Sequence, residues 1–484
     1  MALISLSRIL AHWADEVPTE TAVVHDDARI DWRTLDRLTN RLARSYAAAG
    51  VEENAFVTVA LPNGIEFIAA CFAIWKLGAT PQPVSAKLPG FERNQIIELA
   101  KPALLLGVAP EAAPPGIPAL PTGFEPPSTT SDEALPERNA ESFKAMTSGG
   151  STGRPKLIVS KQPAVVDPDE SLLHLELRGS TLIPGPLNHN GPFMWAMNAL
   201  FRGNKVTVTT RFDAEATLQL IEAEKVDLLH MVPTMMQRVW QLPAAVRSSY
   251  DLSSLRVLWH LAAPCPAWLK HAFIDWLGAE VIWELYGGTE GQGSTVISGS
   301  EWLAHEGSVG KPGAHCEMKI VREDGTTAEV GERGEVFLRP LSGPGTTYRY
   351  IGAEAKQIDG GWESLGDIGY FDADGYLYLA DRLSDMILSG GANIYPAEVE
   401  AAIEACPGVR SSAVIGLPHE DLGNAVHAIV DAPDAKLDAD QLLTFLRERL
   451  VGYKLPRSVE FVAEPLRDDA GKVRRSALRK ERMT

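Results

Sequence analysis

Residues 146–156 read MTSGGSTGRPK. The glycines let backbone N–H groups face an anion, Ser148, Ser151 and Thr152 add hydroxyl donors, and Lys156 adds a positive charge. The stretch is not a Walker A loop, which needs G-x-x-x-x-G-K-[ST]; here Gly153 is followed by Arg-Pro-Lys. Pro155 also argues against a helix that starts directly after the loop. On glycine content alone, a surface loop is the default reading. The rest of the chain decides between the two.

The chain has 484 residues, too many for a single compact core, so two or more domains are expected. Its 45% hydrophobic and 22% charged residues are ordinary for a globular protein. A net charge of −18 without a basic stripe excludes nucleic acid as a partner, and an anionic ligand would need local donors. Cys71, Cys265, Cys316 and Cys406 lie far apart with no C-x-x-C pair, which argues against disulfides or zinc and fits a reducing, cytoplasmic setting. The start, MALISLSRILAHWADEVP, reads as a short amphipathic helix rather than a signal peptide. No run reaches the roughly 18 apolar residues of a membrane span.

Leu35, Leu38, Leu42, Tyr46 and Ala49 follow a 3.6-residue period that Gly50 ends, the pattern of an amphipathic helix over 33–50. AFVTVAL (55–61) reads as a buried strand and 66–77 as a second helix. This rhythm predicts α/β units and a largely parallel sheet. Pro110, Pro114, Pro115, Pro118, Pro121, Pro126 and Pro127 mark 108–127 as an irregular connection. Residues 213–240 and 255–297 continue the helix and strand alternation. After Gly313 short β-like runs with Asp-Gly turns take over, and two helices (396–405 and 438–450) follow in what reads as a small α+β domain starting near 381–385.

Three further strings carry chemistry. LYGGTEGQG (285–293) offers the flat ring of Tyr286, Gly287 and Gly288, a phosphate donor in Thr289, and in Glu290 a carboxylate of the kind that holds Mg²⁺ beside phosphates. In WESLGDIGYFDADGYLYLADR (362–382), Asp367 follows a turn glycine and is suited to accept from both hydroxyls of a ribose. Asp372, Asp374 and Gly375 read as hairpin chemistry. In DAGKVRRSALRK (469–480), Lys472 sits in a Gly-flanked loop. Each string alone is a glycine-rich turn or a solvated basic tail.

Their order is far more specific. From about Leu6 to Arg479 the chain resembles the adenylate-forming superfamily of acyl-CoA synthetases, luciferases and peptide-synthetase adenylation domains. SGGSTGRPK is similar to its phosphate loop, Tyr286–Glu290 to its Tyr-Gly-x-Thr-Glu motif, Gly366–Asp367 to its ribose-binding pair, Arg382 to the Arg before its hinge, DMILSGGANIYPAEVE to the start of its mobile domain, and Gly471–Lys472 to its catalytic Gly-Lys. The resemblance implies an α/β fold with a large N-terminal domain of several subdomains and parallel-rich sheets (1–383), which binds ATP and the acyl group. It implies a small mobile α+β C-terminal domain (384–484) that carries the catalytic lysine.

The implied activity has two half-reactions, with ATP, Mg²⁺ and coenzyme A. A carboxylate attacks the α-phosphate of ATP to give acyl-AMP and pyrophosphate; a thiol then expels AMP. The residues implied are Lys472, Glu290 (also the metal ligand), Thr289 and His189 for catalysis. For the nucleotide and thiol they are Ser148, Gly150, Ser151, Thr152, Gly153, Lys156, Ala262, Ala263, Tyr286, Gly287, Asp367, Arg382, Gly390 and Gly391. Adenine would lie between the 262–264 backbone and the Tyr286 ring. Gly390–Gly391 would approach the pantetheine channel after the C-terminal domain rotates about Ser384.

Four positions depart from the family pattern: Ser384 where Asp or Lys is usual, Leu365 for Thr, Gly149 for Ser, and Asp381 for Gly. None is a central catalytic group, so an active enzyme is expected. PLNHNGPFMWAM (186–197) matches the run that lines the acyl site, with His189 at a gating position; a satisfied core imidazole is the other reading of that residue. Trp195, Trp259 and the Gly287–Gly288 pair are expected to shape the pocket, with Gly288 leaving room for a bulky group. The HNGPF string looks most like that of ligases for fatty, steroid or bile-acid carboxylates. A carboxylic acid is thus the expected partner, with room for a homodimer. A free-standing loader of a carrier protein and a non-catalytic nucleotide-binding homologue are the alternatives; Glu290 together with Lys472 argues against the latter.

Overall fold

The amphipathic period around Leu35 becomes helix Trp32–Ala48, capped where the Asp31 carboxylate accepts from the Thr34 amide at 2.7 Å. The computed structural model describes residues 3–149, 155–382, 385–389, 392–433, 437–468 and 471–483. The helix after it, Ile65–Lys76, is apolar nearly all round and buried on all sides, as such a composition demands. Its Phe72 and Trp75 pack edge-on with each other and against Phe201. At its end Lys76 is buried between Asp36 and Asn40, each accepting at 2.6 Å, and burial lowers its pKa to about 8.

These helices flank a four-stranded parallel sheet ordered Thr80–Pro83, Phe56–Val59, Leu104–Leu106, Ala119–Leu120. Its last strand falls inside the proline-rich stretch expected to be irregular throughout. Pairing of Leu105 with Ala119 and Leu106 with Leu120 supplies the order that local composition does not.

Among the described residues the largest sheet has 14 strands. Its parallel core runs, in chain order, β1 (Ser180–Ile183), β2 (Lys205–Val208), β3 (Leu228–Met231), β4 (Val257–Leu261) and β5 (Ile282–Gly287), side by side as β2-β1-β3-β4-β5. Helix α1 (Asn190–Phe201) connects β1 to β2 and covers one face. Beyond β5 the sheet turns antiparallel through Ser294–Ser298 and Ser308–Pro312 to Leu377–Arg382, Trp362–Phe371, Gly334–Pro340 and Cys316–Val321. This is the change of rhythm after Gly313. Asp372 serves the hairpin there, accepting from the amides of Asp374 and Tyr376.

The large sheet ends at Arg382. A five-stranded sheet begins at Ile387, with Gly423–Asp431 bonded to Ser411–His419, Ile387–Ser389 and Ser458–Val462. Helices α2 (Pro396–Glu404), Ala439–Arg447 and Arg475–Arg482 accompany it, and Ile394, Val399, Ile403, Val414 and Leu442 form its core. The two sheets meet at a seam. A Cβ on Gly471 (φ +75°) would lie 2.8 Å from Thr234 Oγ1, just past the C-terminal end of β3. Among the described residues no helix is long and apolar enough to cross a membrane.

Candidate active site

In a parallel sheet the strand C-termini are the ligand-binding edge, because the loops there are free to diverge and carry the exposed amides and side chains. Three of the segments expected to form the site arrive at that edge. Residues 262–264 follow β4, and Ala262 holds φ +73°, unusual for a residue with a side chain. Tyr286 and Gly287 end β5, and Thr289 and Glu290 follow. The Gly471 loop rests on Val232 and Thr234 after β3. Ala262 and Gly287 are exposed, whereas Ala263, Tyr286 and Thr289 are half-buried.

Glu290 is the buried anchor, 7% exposed. Its Oε1 accepts from the Tyr350 hydroxyl at 2.5 Å and lies 3.4 Å from Lys156 Nζ, which in turn sits 3.9 Å above the Tyr350 ring. Burial and the Glu290 charge push the Tyr350 phenol far up, so it stays a donor at every ordinary pH. Ser148, half-buried, faces Lys156 across the hairpin of Ala145–Gly149 with Pro155–Ser160. Gly150, Ser151, Thr152 and Gly153, which link the two strands, lie outside the described residues, as do Gly390, Gly391 and the expected hinge Ser384.

A second group joins Tyr286 to Asp367, whose Oδ2 accepts from the Tyr286 hydroxyl at 2.7 Å. Asp367 is buried and pairs in register with Arg382 on the neighbouring strand. Lys472 is exposed; its amide donates to Asp468 Oδ1 at 2.9 Å. The loop around it is braced from below. Arg467 donates to the Gly471 carbonyl (3.3 Å) and to the buried Glu404 (3.1 Å), while Arg475 binds Glu400 and Asp385, each at 2.8 Å.

His189 is half-buried at the N-cap of α1, its amide bonded to the Pro186 carbonyl at 3.1 Å. The next residue, Asn190, accepts from Lys144, which is 7% exposed. Burial lowers the Lys144 pKa to about 7 against the opposing pull of Glu290. One expectation fails: Gly288 leaves no room for a bulky acyl group. A Cβ there would stand 2.7 Å from Leu365 Cδ1 and 2.8 Å from Glu290 Oε2, so the glycine serves close packing.

Sequence reasoning missed Tyr350, Lys144 and Asn190, and also Glu363, which accepts from Tyr348, Gln292 and Gln357. The period-two spacing of Tyr348 and Tyr350 was a usable signal for the tyrosines. For Lys144, in the run SFKAM, the sequence offers none.

The donor chemistry fits Mg²⁺. A buried carboxylate supplies one hard oxygen, which suits an ion that takes its other ligands from water and phosphate oxygens.

A parallel sheet with aromatic, hydroxyl and carboxylate groups at its C-terminal edge, and a lysine loop docked on that edge, defines a nucleotide-dependent α/β enzyme. The chain belongs to the AMP-binding enzymes: the family model matches residues 10–351, and the model of the family's C-terminal domain matches 398–472. It is 34% identical over 480 residues to a feruloyl-CoA synthase of Amycolatopsis sp, covering 96% of each chain. It is 30% identical to a long-chain-fatty-acid–CoA ligase of Mycobacterium tuberculosis, covering 94% of this chain and 93% of that one. The o-succinylbenzoate CoA synthetase of Bacillus subtilis shares the fold: bound to its acyl-adenylate it matches with a TM-score of 0.84 at 24% identity, over 99% of this chain and 98% of that one. The same enzyme in complex with ATP and magnesium matches at 0.82 and 24% identity, over 99% and 100%. The protein is an AMP-forming acid–thiol ligase of the acid–CoA ligase group.

Proposed function

We propose that this chain joins a bulky carboxylic acid, of the fatty, steroid-like or comparable hydrophobic type, to coenzyme A through an acyl-AMP intermediate. A carboxylate oxygen attacks the α-phosphorus of ATP; the bond to the bridging oxygen breaks and pyrophosphate leaves. The thiol sulfur of coenzyme A then attacks the acyl carbon, the bond from that carbon to the AMP oxygen breaks, and the thiol proton is lost to solvent.

The observation that carries this reading is the docking of Gly471 on Val232 and Thr234, which brings the Lys472 loop to the same sheet edge as Tyr286 and Glu290. Two anions must meet in the first step, so fixed positive charge is the main requirement. Lys472 would meet the α-phosphate, and Lys156, Ser148, Ser151 and Thr152 would hold the outgoing phosphates. Asp367 would accept from the ribose, and Tyr286 with the 262–263 backbone would sandwich adenine. Mg²⁺ held by Glu290 would screen the phosphate charge. His189 would stand at the acyl entrance. No covalent bond to the protein is needed; positioning supplies much of the rate. Residues 1–383 would form the ATP- and acyl-binding domain and 384–484 the mobile domain. Its rotation about Ser384 would exchange Lys472 for Gly390–Gly391 between the half-reactions.

The test is incubation with ATP, Mg²⁺, coenzyme A and a panel of carboxylates, with AMP, ADP and pyrophosphate separated. Carboxylate-dependent AMP and pyrophosphate are expected. ADP as the product, or no nucleotide turnover with any acid, overturns the reading.

A further inference from the structure

Strand register sorts the side chains of β3, β4 and β5 into two rows. His230, Trp259 and Trp283 are cross-strand partners, as are Met231, His260 and Glu284 one residue on, so the rows occupy opposite faces. The first row is an aromatic wall. Trp259 lies 5.7 Å from Trp283, and Trp195, projecting from α1, lies 5.3 Å from His230 and 5.7 Å from Trp259.

Two indoles of this wall are satisfied: Trp259 Nε1 donates to the Leu173 carbonyl at 3.0 Å and Trp283 Nε1 to the Glu280 carbonyl at 3.1 Å. Three other polar atoms are not. Both ring nitrogens of His230 and Nε1 of Trp195 are buried without a hydrogen-bond partner; His230 is 0% exposed and Trp195 5%. Buried polar atoms are paired in the great majority of cases, and an unpaired set at one place calls for an explanation. On the opposite face His260 also lacks a hydrogen bond, but its Nε2 lies 3.8 Å from Glu284, which Lys270 holds at 2.6 Å. Among the described residues no charged partner faces His230 in that way.

The position points to a ligand. His230 precedes the last residue of β3, close to the sheet edge where ligands bind, and its Nε2 would lie 3.1 Å from a Cβ on Gly191, in the first turn of α1 beside His189. Burial lowers the imidazole pKa to about 4, so it is neutral and offers one donor and one acceptor. A hydroxyl is the group that answers both. The indole walls suit a flat ring, whereas a saturated unbranched chain would bury the three polar atoms unpaired.

We propose that His230 and Trp195 are specificity residues, and that the acyl substrate is a carboxylic acid with a flat ring whose hydroxyl hydrogen-bonds to them. This rests on the ligase reading above and narrows its substrate class to hydroxylated, ring-bearing acids, away from the fatty acids named there. Sites built to hydrogen-bond a hydroxyl reject the analogue without it, whereas purely apolar pockets barely separate the two.

The experiment compares 4-hydroxycinnamic acid, cinnamic acid and dodecanoic acid by kcat/KM for pyrophosphate release, in the full-length protein and its variants. The hydroxylated acid is expected to exceed cinnamic acid by about tenfold or more, with dodecanoic acid lower still. His230→Leu should bring the hydroxylated-to-plain ratio toward one, Trp195→Phe should reduce it, and His230→Gln, which keeps a donor and an acceptor, should retain part of it. Equal rates with the two cinnamic acids, a preference for dodecanoic acid, or an equal loss on all acids in His230→Leu overturns the proposal. If no acid releases pyrophosphate, the ligase reading fails separately. Quenching of tryptophan fluorescence by the same acids then decides the pocket: tighter binding of the hydroxylated acid that His230→Leu abolishes supports it, and its absence overturns it.

Discussion

The Tyr286 hydroxyl donates to Asp367 Oδ2 across 2.7 Å, joining the end of the parallel sheet to the middle of its antiparallel extension. The two residues thus enter any nucleotide site as a unit. Tyr286→Phe keeps the stacking face and frees one carboxylate lone pair, so KM for ATP should change less than about threefold. Asp367→Asn loses the charged acceptor and should raise that KM about tenfold or more, a charged hydrogen bond being worth roughly 1.5–3 kcal/mol. Equal effects of the two changes, read from initial rates against ATP, would contradict the separation of roles.

Glu290 draws on Tyr350 and Lys156 at one oxygen. Glu290→Gln should lower kcat/KM about 100-fold or more and shift the Mg²⁺ dependence to higher concentration. Tyr350→Phe should shift it much less, because the phenol only orients the carboxylate. Magnesium titrations of pyrophosphate release check both, and an unchanged Mg²⁺ midpoint in Glu290→Gln would remove that residue from the metal site.

Lys472→Ala should suppress acyl-AMP formation by about 100-fold or more while sparing thioester formation from supplied acyl-AMP. Its exposure and its loop-borne position predict an unchanged unfolding midpoint, which thermal melts of both proteins check. Equal loss in the two half-reactions would count against the exchange of conformations.

The buried Lys144 ties stability to pH. Unfolded, the lysine holds its proton up to about 10.5; folded, only up to about 7. Between those values unfolding takes up a proton, so stability rises with pH across that window, and below it the cost is constant. Lys144→Met should flatten the slope of unfolding free energy between pH 7.5 and 9.5, measured by denaturant titration. An unaltered slope would show that the ammonium keeps its proton in the folded protein.

Much of the fold and the family was legible because the informative residues sit in short local strings: Tyr286 to Glu290, Gly366–Asp367 and Gly471–Lys472 each read within a few positions. What failed to show depends on distant pairing. Tyr350 reaches Glu290 because Tyr348–Ile351 pairs with Pro155–Ser160, and no pattern near either strand reports that register. Gly288 looks open in sequence because a glycine string says nothing of what lies over it; the occupant is Leu365, one of the departures from the family pattern. Lys144 lies in an ordinary run, and its burial is decided by α1 arriving with Asn190. The strand Ala119–Leu120 emerges where prolines predicted none, because a neighbouring strand outweighs local preference.

The seam at Gly471 makes one hydrogen atom a gauge of closure. With Thr234 Oγ1 2.8 Å from where a methyl would stand, and φ at +75°, Gly471→Ala would work as a wedge, adding volume only when the lysine loop is seated. A population balance between seated and withdrawn loops would then tilt without a single catalytic atom being altered. On the proposed rotation, the glycine before the lysine would be a tolerance in the mechanical sense: the clearance that would let one domain close on the other.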